Sequence, residues 1–291
     1  MIKNILKWQG GKSELFEGII KNYLPPELFN IEENITAIDA FCGGGSVFMF
    51  FLNNCPGIKR LIINDYNTRL IRLYYDIKEQ PQELINQLDI LQTKYNTAID
   101  KSKVYYEMRD DYNSSPNNNL YTSALLLCLN RTCFNGLYRE NSKGLFNAAW
   151  GKRDTLNYTA DFIKDISAKL NSIKTYLISG DFSITQNYIT ENNTFIYLDP
   201  PYRPLTGSNS FTNYCSSTFN DRAQERVKFY CDDAFNNFRA KFMVSNSYDP
   251  ADNFLINLYS NYKIRQISAI RKSGGKGAMR GIIQENLITN Y

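Results

Sequence analysis

The sequence predicts an α/β protein built on a doubly wound, mostly parallel sheet, interrupted by a helical segment. Three observations carry that expectation. Residues 36–65 run strand, glycine turn, helix, strand, acid, which is how doubly wound sheets open. Apolar strand patterns return at 175–178, 194–198 and three further places towards the C-terminus. Between these two groups, about 81–129, the apolar residues recur with helical rather than alternating spacing.

Taken in order, Thr36–Phe41 reads as a short buried strand ended by Gly43-Gly44-Gly45, with Ser46 able to cap the helix that starts at Val47. Leu61–Ile63 is a second strand, ending at Asn64-Asp65, and helix resumes from Thr68 to Lys78. Pro81 opens a helix through Leu91, and another spans Ser102–Tyr112. The polar run 113–119 is a loop, followed by an apolar helix from Leu120 to about Leu129. Residues 130–153 are rich in Gly, Asn and Arg and show no period. The later strands are Thr175–Ile178, Thr194–Leu198, Ala240–Val244, Tyr262–Ile270 and Gly281–Thr289. The expected division is a catalytic domain formed by 1–72 with 156–291, and an insert over 73–155.

Composition narrows the chemistry. In 291 residues, 43% hydrophobic and 21% charged is globular rather than disordered composition, and the formal net charge of +4 permits a polyanionic partner without requiring one. The sequence contains no histidine. That removes the Ser-His-Asp triad, the Cys-His pair, the HExxH peptidases and any imidazole base. The six cysteines form no CxxC pair and read as reduced thiols, so no metal is expected. No apolar run reaches the length of a membrane span and the first residues lack a signal-peptide core, so a cytoplasmic protein with no membrane partner is expected. Carboxylates, Lys, Tyr, backbone groups or a cofactor must therefore do the work.

Three motifs offer such groups. In Asp39-Ala-Phe41-Cys-Gly43-Gly-Gly45-Ser46, glycines at a strand-to-helix turn let a ligand approach the backbone, and Asp65 stands where a carboxylate can accept two bonds from ribose hydroxyls. Phe48 occupies the place of the third glycine of a dinucleotide fingerprint, which disfavours a phosphate grip and leaves room for a nucleoside cofactor such as S-adenosylmethionine. The same residues also read as a plain glycine turn with a loop acid. In Asp199-Pro200-Pro201-Tyr202, two prolines turn the chain at a strand end and set two acceptors, the Asp199 carboxylate and the Pro200 carbonyl, beside the flat ring of Tyr202. That suits a planar amine; a rigid turn with a capping acid is the plainer alternative. Near the N-terminus, Trp8 and Lys12 flank a glycine pair, a ligand contact or a solvated tail.

In order along the chain, Trp8-Gln-Gly-Gly-Lys12, Phe41-Cys-Gly-Gly-Gly45, Asp65, Asn130-Arg-Thr-Cys-Phe-Asn-Gly-Leu-Tyr-Arg139 and Asp199-Pro-Pro-Tyr202 resemble the motifs of the Dam-type, or alpha-group, DNA adenine-N6 methyltransferases over the full length. The resemblance implies S-adenosylmethionine as methyl donor and the N6 amine of adenine in double-stranded DNA as acceptor, with the base flipped out of the helix. It implies cofactor contacts from Trp8, Lys12, Asp39, Phe41, Gly43, Gly45, Asp65, Asp181 and Asp199, and an adenine pocket made by Asp199, Pro200, Pro201 and Tyr202. DNA recognition would fall to Lys7, Phe134, Asn135, Leu137 and Arg139, with Arg139 on a guanine and a GATC-like target. Ala149 stands where members reading GATC often have proline, which leaves the outer bases open. A cognate restriction nuclease is an allowed partner. The alternatives are methylation of adenine in RNA or of another planar amine or amide, and a catalytically silent DNA-binding protein.

Two basic regions fit phosphate contact or a solvated surface equally well. One is Arg131, Arg139, Lys143, Lys152 and Arg153, facing one acid, Glu140; the other runs from Lys263 to Arg280. The polar stretch 203–220 reads as a loop that orders on a ligand.

Overall fold

The computed structural model describes residues 5–8, 11–115, 118–203, 219–270 and 282–291. Among these, seven strands form one sheet: β1 (Ile35–Asp39), β2 (Ile58–Asp65), β3 (Lys174–Ser179), β4 (Thr194–Leu198), β5 (Lys241–Ser247), β6 (Lys263–Ile270) and β7 (Ile282–Thr289). Their order is β3-β2-β1-β4-β5-β7-β6, with β7 antiparallel to both neighbours and the other pairings parallel. The helices are α1 (Ser13–Gly18), α2 (Ser46–Asn54), α3 (Thr68–Glu79), α4 (Pro81–Thr97), α5 (Lys101–Ser114), α6 (Leu120–Thr132), α7 (Ala160–Leu170), α8 (Asp221–Phe238) and α9 (Phe254–Leu258). This is the Rossmann-like α/β architecture that the sequence predicts.

β1 and β4 are buried on both faces because strands flank them on both sides and helices cover them above and below. Alternate residues therefore serve two cores. Ala37, Leu61, Ile63, Phe195 and Tyr197 join an apolar cluster that continues through α2 and α3 into α4–α7. Ile38, Ile62, Ile196, Leu198 and Val244 face the other way, onto Val227, Tyr230 and Ala234 of α8.

Helix starts follow local chemistry. Asn67, Asp100, Asn119, Thr159 and Asn220 each accept backbone N–H groups at the head of the next helix. α2 differs from the expectation: Gly45 at φ +87° precedes it, and Ser46 is its first helical residue rather than its cap. Left-handed backbone at that corner is cheap only for glycine, so Gly45 takes the cap position and the helix starts one residue earlier than expected.

The register matters most for function. Asp39 ends β1 opposite Ile63 and Tyr197, and Asp65 ends β2 opposite Ser179. Asp181 lies two residues past β3, and Asp199 one past β4. Four carboxylates thus emerge at the carboxyl ends of four adjacent parallel strands. The strand order reverses between β1 and β4, which is where open α/β sheets bind ligands. No helix among the described residues is long and apolar enough to cross a membrane.

Candidate active site and nucleic-acid interface

Prolines 200 and 201 turn the chain away from the sheet as soon as β4 ends, and three neighbours pin the turn. Gln224 of α8, fully buried, donates its side-chain amide to the Pro201 carbonyl at 3.0 Å, and Asn246 of β5 donates to Gln224 at 2.9 Å. Ser247 donates to the Arg203 carbonyl at 3.0 Å, while the Arg203 guanidinium pairs with Asp221 and Asp252. With its two fixed φ angles and these three anchors, the corner is rigid.

Charge collects on its inner side. The Asp199 side chain is 17% exposed, and its Oδ1 has no hydrogen-bond partner. The Lys12 ammonium stands 3.6 Å from that oxygen, beyond hydrogen-bond range. It bonds instead to the Tyr202 hydroxyl and to Glu285, whose carboxylate oxygens lie at 3.1 and 3.2 Å. Tyr202 in turn donates to Glu285 at 2.9 Å, and the ammonium sits 4.5 Å from the Tyr202 ring centre. Burial pushes the Asp199 carboxyl up to about 6; Lys12 opposes the rise and Glu285 adds to it. Burial works to lower the Lys12 ammonium, but Asp199 and Glu285 outweigh it and hold it above its ordinary value, so it stays charged.

The glycine bend lies beside this cluster. Gly43 and Gly45 both have positive φ, at +45° and +87°. What approaches the bare backbone here is the chain's own Trp8: a Cβ added at Gly44 would fall 2.4 Å from the Trp8 Cβ, and one at Gly43 3.0 Å from the indole. A Cβ at Gly45 would point inward onto Phe48. Asp65 holds the bend, accepting from the Gly43 N–H at 2.9 Å and from Asn67 at 2.9 Å, with lone pairs still free on both oxygens. Asp39 is fully buried and accepts from the Phe48 N–H at 3.1 Å. Burial and then Asp199 push its carboxyl well above the usual range, and its Oδ1 has no partner. Phe41 stacks on Phe182 with centroids 5.3 Å apart, and Asp181 is paired with Arg226 at 2.7 Å.

On the far side of Trp8 lies the segment 130–151. Trp8 stacks on Tyr138, centroids 4.9 Å apart and planes 19° from parallel, an aromatic contact of roughly 0.5–1.5 kcal/mol beyond its burial. Asn130, 1% exposed, accepts from the Lys7 N–H at 2.9 Å and donates to the Lys7 carbonyl at 2.8 Å and the Gly136 carbonyl at 3.2 Å. Asn135 and Gly136 both have positive φ, and the Lys7 side chain lies against Gly136 where a Cβ would be. This turn lifts Phe134 into solvent, 59% exposed, beside an exposed Asn135. Leu137 is half-buried. Arg139 is exposed and braced by Asn147, which accepts from Nε at 2.7 Å and from Nη2 at 3.2 Å. Arg131 is not on this face: its guanidinium lies over the Tyr158 ring at 4.9 Å, packed inside the helices.

The N-terminal segment 5–8 thus lies between the glycine bend and an exposed aromatic–arginine hairpin. A family model for D12 class N6 adenine-specific DNA methyltransferases matches residues 8–273, from Trp8 through the Asp199 corner and beyond. The chain belongs to this family. It is 37% identical to the type II methyltransferase M.MjaIII of Methanocaldococcus jannaschii, covering all of this chain and 99% of that protein. It is 33% identical to the type II methyltransferase M1.LlaDCHI of Lactococcus lactis subsp. cremoris, covering 100% and 96%, and 28% identical to the DNA adenine methylase of Salmonella typhi, covering 97% and 93%.

The methyltransferase contains three corner residues that the sequence reading leaves out: Glu285, Gln224 and Asn246. Glu285 had a signal, since Gln284-Glu285-Asn286 interrupts an otherwise apolar strand with three polar residues. Gln224 and Asn246 had none, because only the tertiary fold brings α8 and β5 to the Pro201 carbonyl. In the methyltransferase Cys42, Cys55, Cys128, Cys133 and Cys231 are free and buried, in line with reduced thiols. Gln9, Gly10, Cys215, the stretch 204–218 and the basic run 271–281 lie outside the described residues.

Proposed function

We propose that this DNA adenine methyltransferase uses S-adenosylmethionine and methylates an adenine swung out of duplex DNA into the Asp199–Tyr202 corner. The observation that supports this best is the Asp199 Oδ1 atom: a buried carboxylate oxygen with no hydrogen-bond partner, at a strand end stiffened by prolines. An orphaned buried acceptor is costly unless a ligand supplies the donor.

The residues present fit the cofactor. Asp199 and Glu285 face one cation, Lys12, and Asp65 ends the next strand but one, so the site carries more acidic than basic groups, which suits a sulfonium. The free lone pairs of Asp65 suit a ribose, Phe41 offers an aromatic face, and Trp8, Gly43, Gly45 and Asp181 would complete the surround. The cofactor supplies an electrophilic methyl group. Within the protein, Asp199 and the Pro200 carbonyl would accept the two N6 protons, drawing the amine towards tetrahedral geometry and localising its lone pair, while Tyr202 stacks on the base. These acceptors also stabilise the positive charge that develops on N6. Rigid placement supplies much of the remaining rate.

For DNA, the described residues divide at Trp8. Residues 73–155 would act as the recognition insert of a catalytic domain formed by 1–72 and 156–291. Phe134 and Asn135 would enter the duplex beside the target, Leu137 would meet a thymine methyl, and Arg139 would read a guanine, giving a GATC-like site. Lys7, held by Asn130, would contact the DNA from the cofactor side. Kinship with type II methyltransferases supports a role protecting host DNA in the cytoplasm beside a cognate nuclease.

Asp199→Ala is expected to abolish methyl transfer to duplex DNA while leaving DNA affinity within about a few-fold, because the acceptor is lost and the hairpin is untouched. Turnover near that of the wild type would refute the assignment. Mapping N6-methyladenine in DNA from cells expressing the protein would give the site.

A further inference from the structure

The geometry points to Glu285 as a positioning residue: it holds the Lys12 ammonium out of hydrogen-bond range of the acceptor oxygen of Asp199, so that this oxygen stays open to the amine. The inference deepens the proposed function and rests on Asp199 accepting an N6 proton.

Lys12 is the cation beside Asp199, and an ammonium left with one carboxylate closes to about 2.7–2.9 Å. Here it does not. It directs its protons at the two oxygens of Glu285 and at the Tyr202 hydroxyl, and stands 3.6 Å from Asp199 Oδ1. Tyr202 hands its own proton to the same Glu285 oxygen, which fixes the plane of its ring. Glu285 is 4% exposed, in the run of β7 that continues through fully buried Leu287 and Ile288, opposite Ser247 of β5 and Ile267 of β6. A carboxylate in that position costs stability unless it is paired, and a hydrophobic residue would fill it more cheaply. Its retention is explained if it competes for Lys12.

The ionisable groups facing Asp199 are Asp39 from β1, Tyr197 from β4, Tyr202 from the corner, Lys12 from the N-terminal segment and Glu285 from β7. Removing the Glu285 charge takes away one repulsion and lets the one attraction move closer. Both changes make Asp199 easier to ionise and, at the same time, occupy its oxygen.

Glu285→Gln keeps the shape and deletes the charge. With S-adenosylmethionine and an adenine-containing duplex, kcat is expected to fall roughly tenfold, the rate equivalent of one charged hydrogen bond, with KM for DNA little changed. The acid limb of kcat is expected to move to lower pH. A purely structural role would lower the rate at every pH and leave the limb in place. Wild-type kcat, or a fall with an unmoved limb, overturns the inference. Should E285Q fail to fold, Glu285→Met, of similar volume, reads the same competition, since it too deprives Lys12 of its other carboxylate; there too an unmoved limb overturns it. Asp199→Ala run in parallel separates the two ideas. An active D199A removes the acceptor assignment itself, whereas an inactive D199A beside a wild-type E285Q removes only the part given to Glu285.

Discussion

At the scale of one residue, the role proposed for Asp199 makes its carboxyl the group that sets the working pH. Its carboxyl is pushed up to about 6 from the ordinary 3.8, by burial first, with Glu285 adding and Lys12 opposing. A carboxylate must be ionised to accept a proton from an amine, so the acceptor is present above that value and lost as pH falls through it. The single-turnover rate with saturating cofactor and DNA is therefore expected to decline below about pH 6, close to tenfold per pH unit. A decline that begins only near the pH of a free aspartate would mean that the side chain is hydrated in the complex. Arg139, proposed above to read a guanine, shows the same economy. Two of its N–H groups are spent on Asn147, so the guanidinium is oriented before any base arrives, and the loss of rotamer freedom that binding would exact is already met in folding.

At the scale of elements, Asn130 joins the N-terminal segment 5–8 to the hairpin that follows α6. It serves both polar groups of the Lys7 peptide, a residue 123 positions away, and its removal strands buried N–H and C=O groups. Asn130→Ala is expected to cost about 1–3 kcal/mol and lower the melting temperature by several degrees. DNA affinity is expected to weaken with it, because Lys7 and the Phe134–Gly136 turn lose their common anchor. An unchanged melt would mean that the two segments hold together without it. Elements with strong local signatures were legible in the sequence: β4 is found residue for residue, as Thr194 and four apolar positions stopped by Asp-Pro-Pro. α6 runs three residues past Leu129, into the motif that seemed unpatterned, because Asn130 and Thr132 are buried by tertiary contacts. The sequence reading leaves 221–238 unassigned. Yet α8 carries Ala223, Val227, Tyr230, Cys231, Ala234, Phe235 and Phe238 at helical spacing, a stripe that packs on the sheet and was legible in the chain.

For the whole molecule, the fold class followed from one strand–turn–strand unit, since parallel strands demand crossovers and the crossovers fix the layers. The corner was legible because prolines, acid and aromatic sit side by side in the chain. Three of its partners were not, because Gln224, Asn246 and Glu285 come from distant segments that only the completed sheet assembles. The apolar cluster runs without a break from Ala37 and Phe195 in the sheet to Leu88, Leu125 and Ile163 in α4, α6 and α7. Calorimetry is therefore expected to give one unfolding transition, with calorimetric and van't Hoff enthalpies equal. Two resolved transitions would show that the helices fold apart from the sheet. The indole of Trp8 lies within this arrangement, one side on the glycine bend and the other on Tyr138. Pocket and hairpin thus share a single wall. A lineage drifting in sequence cannot retune one of them without disturbing its grip on the other, so changes in the bases it prefers are expected to arrive together with changes around its N-terminal tryptophan.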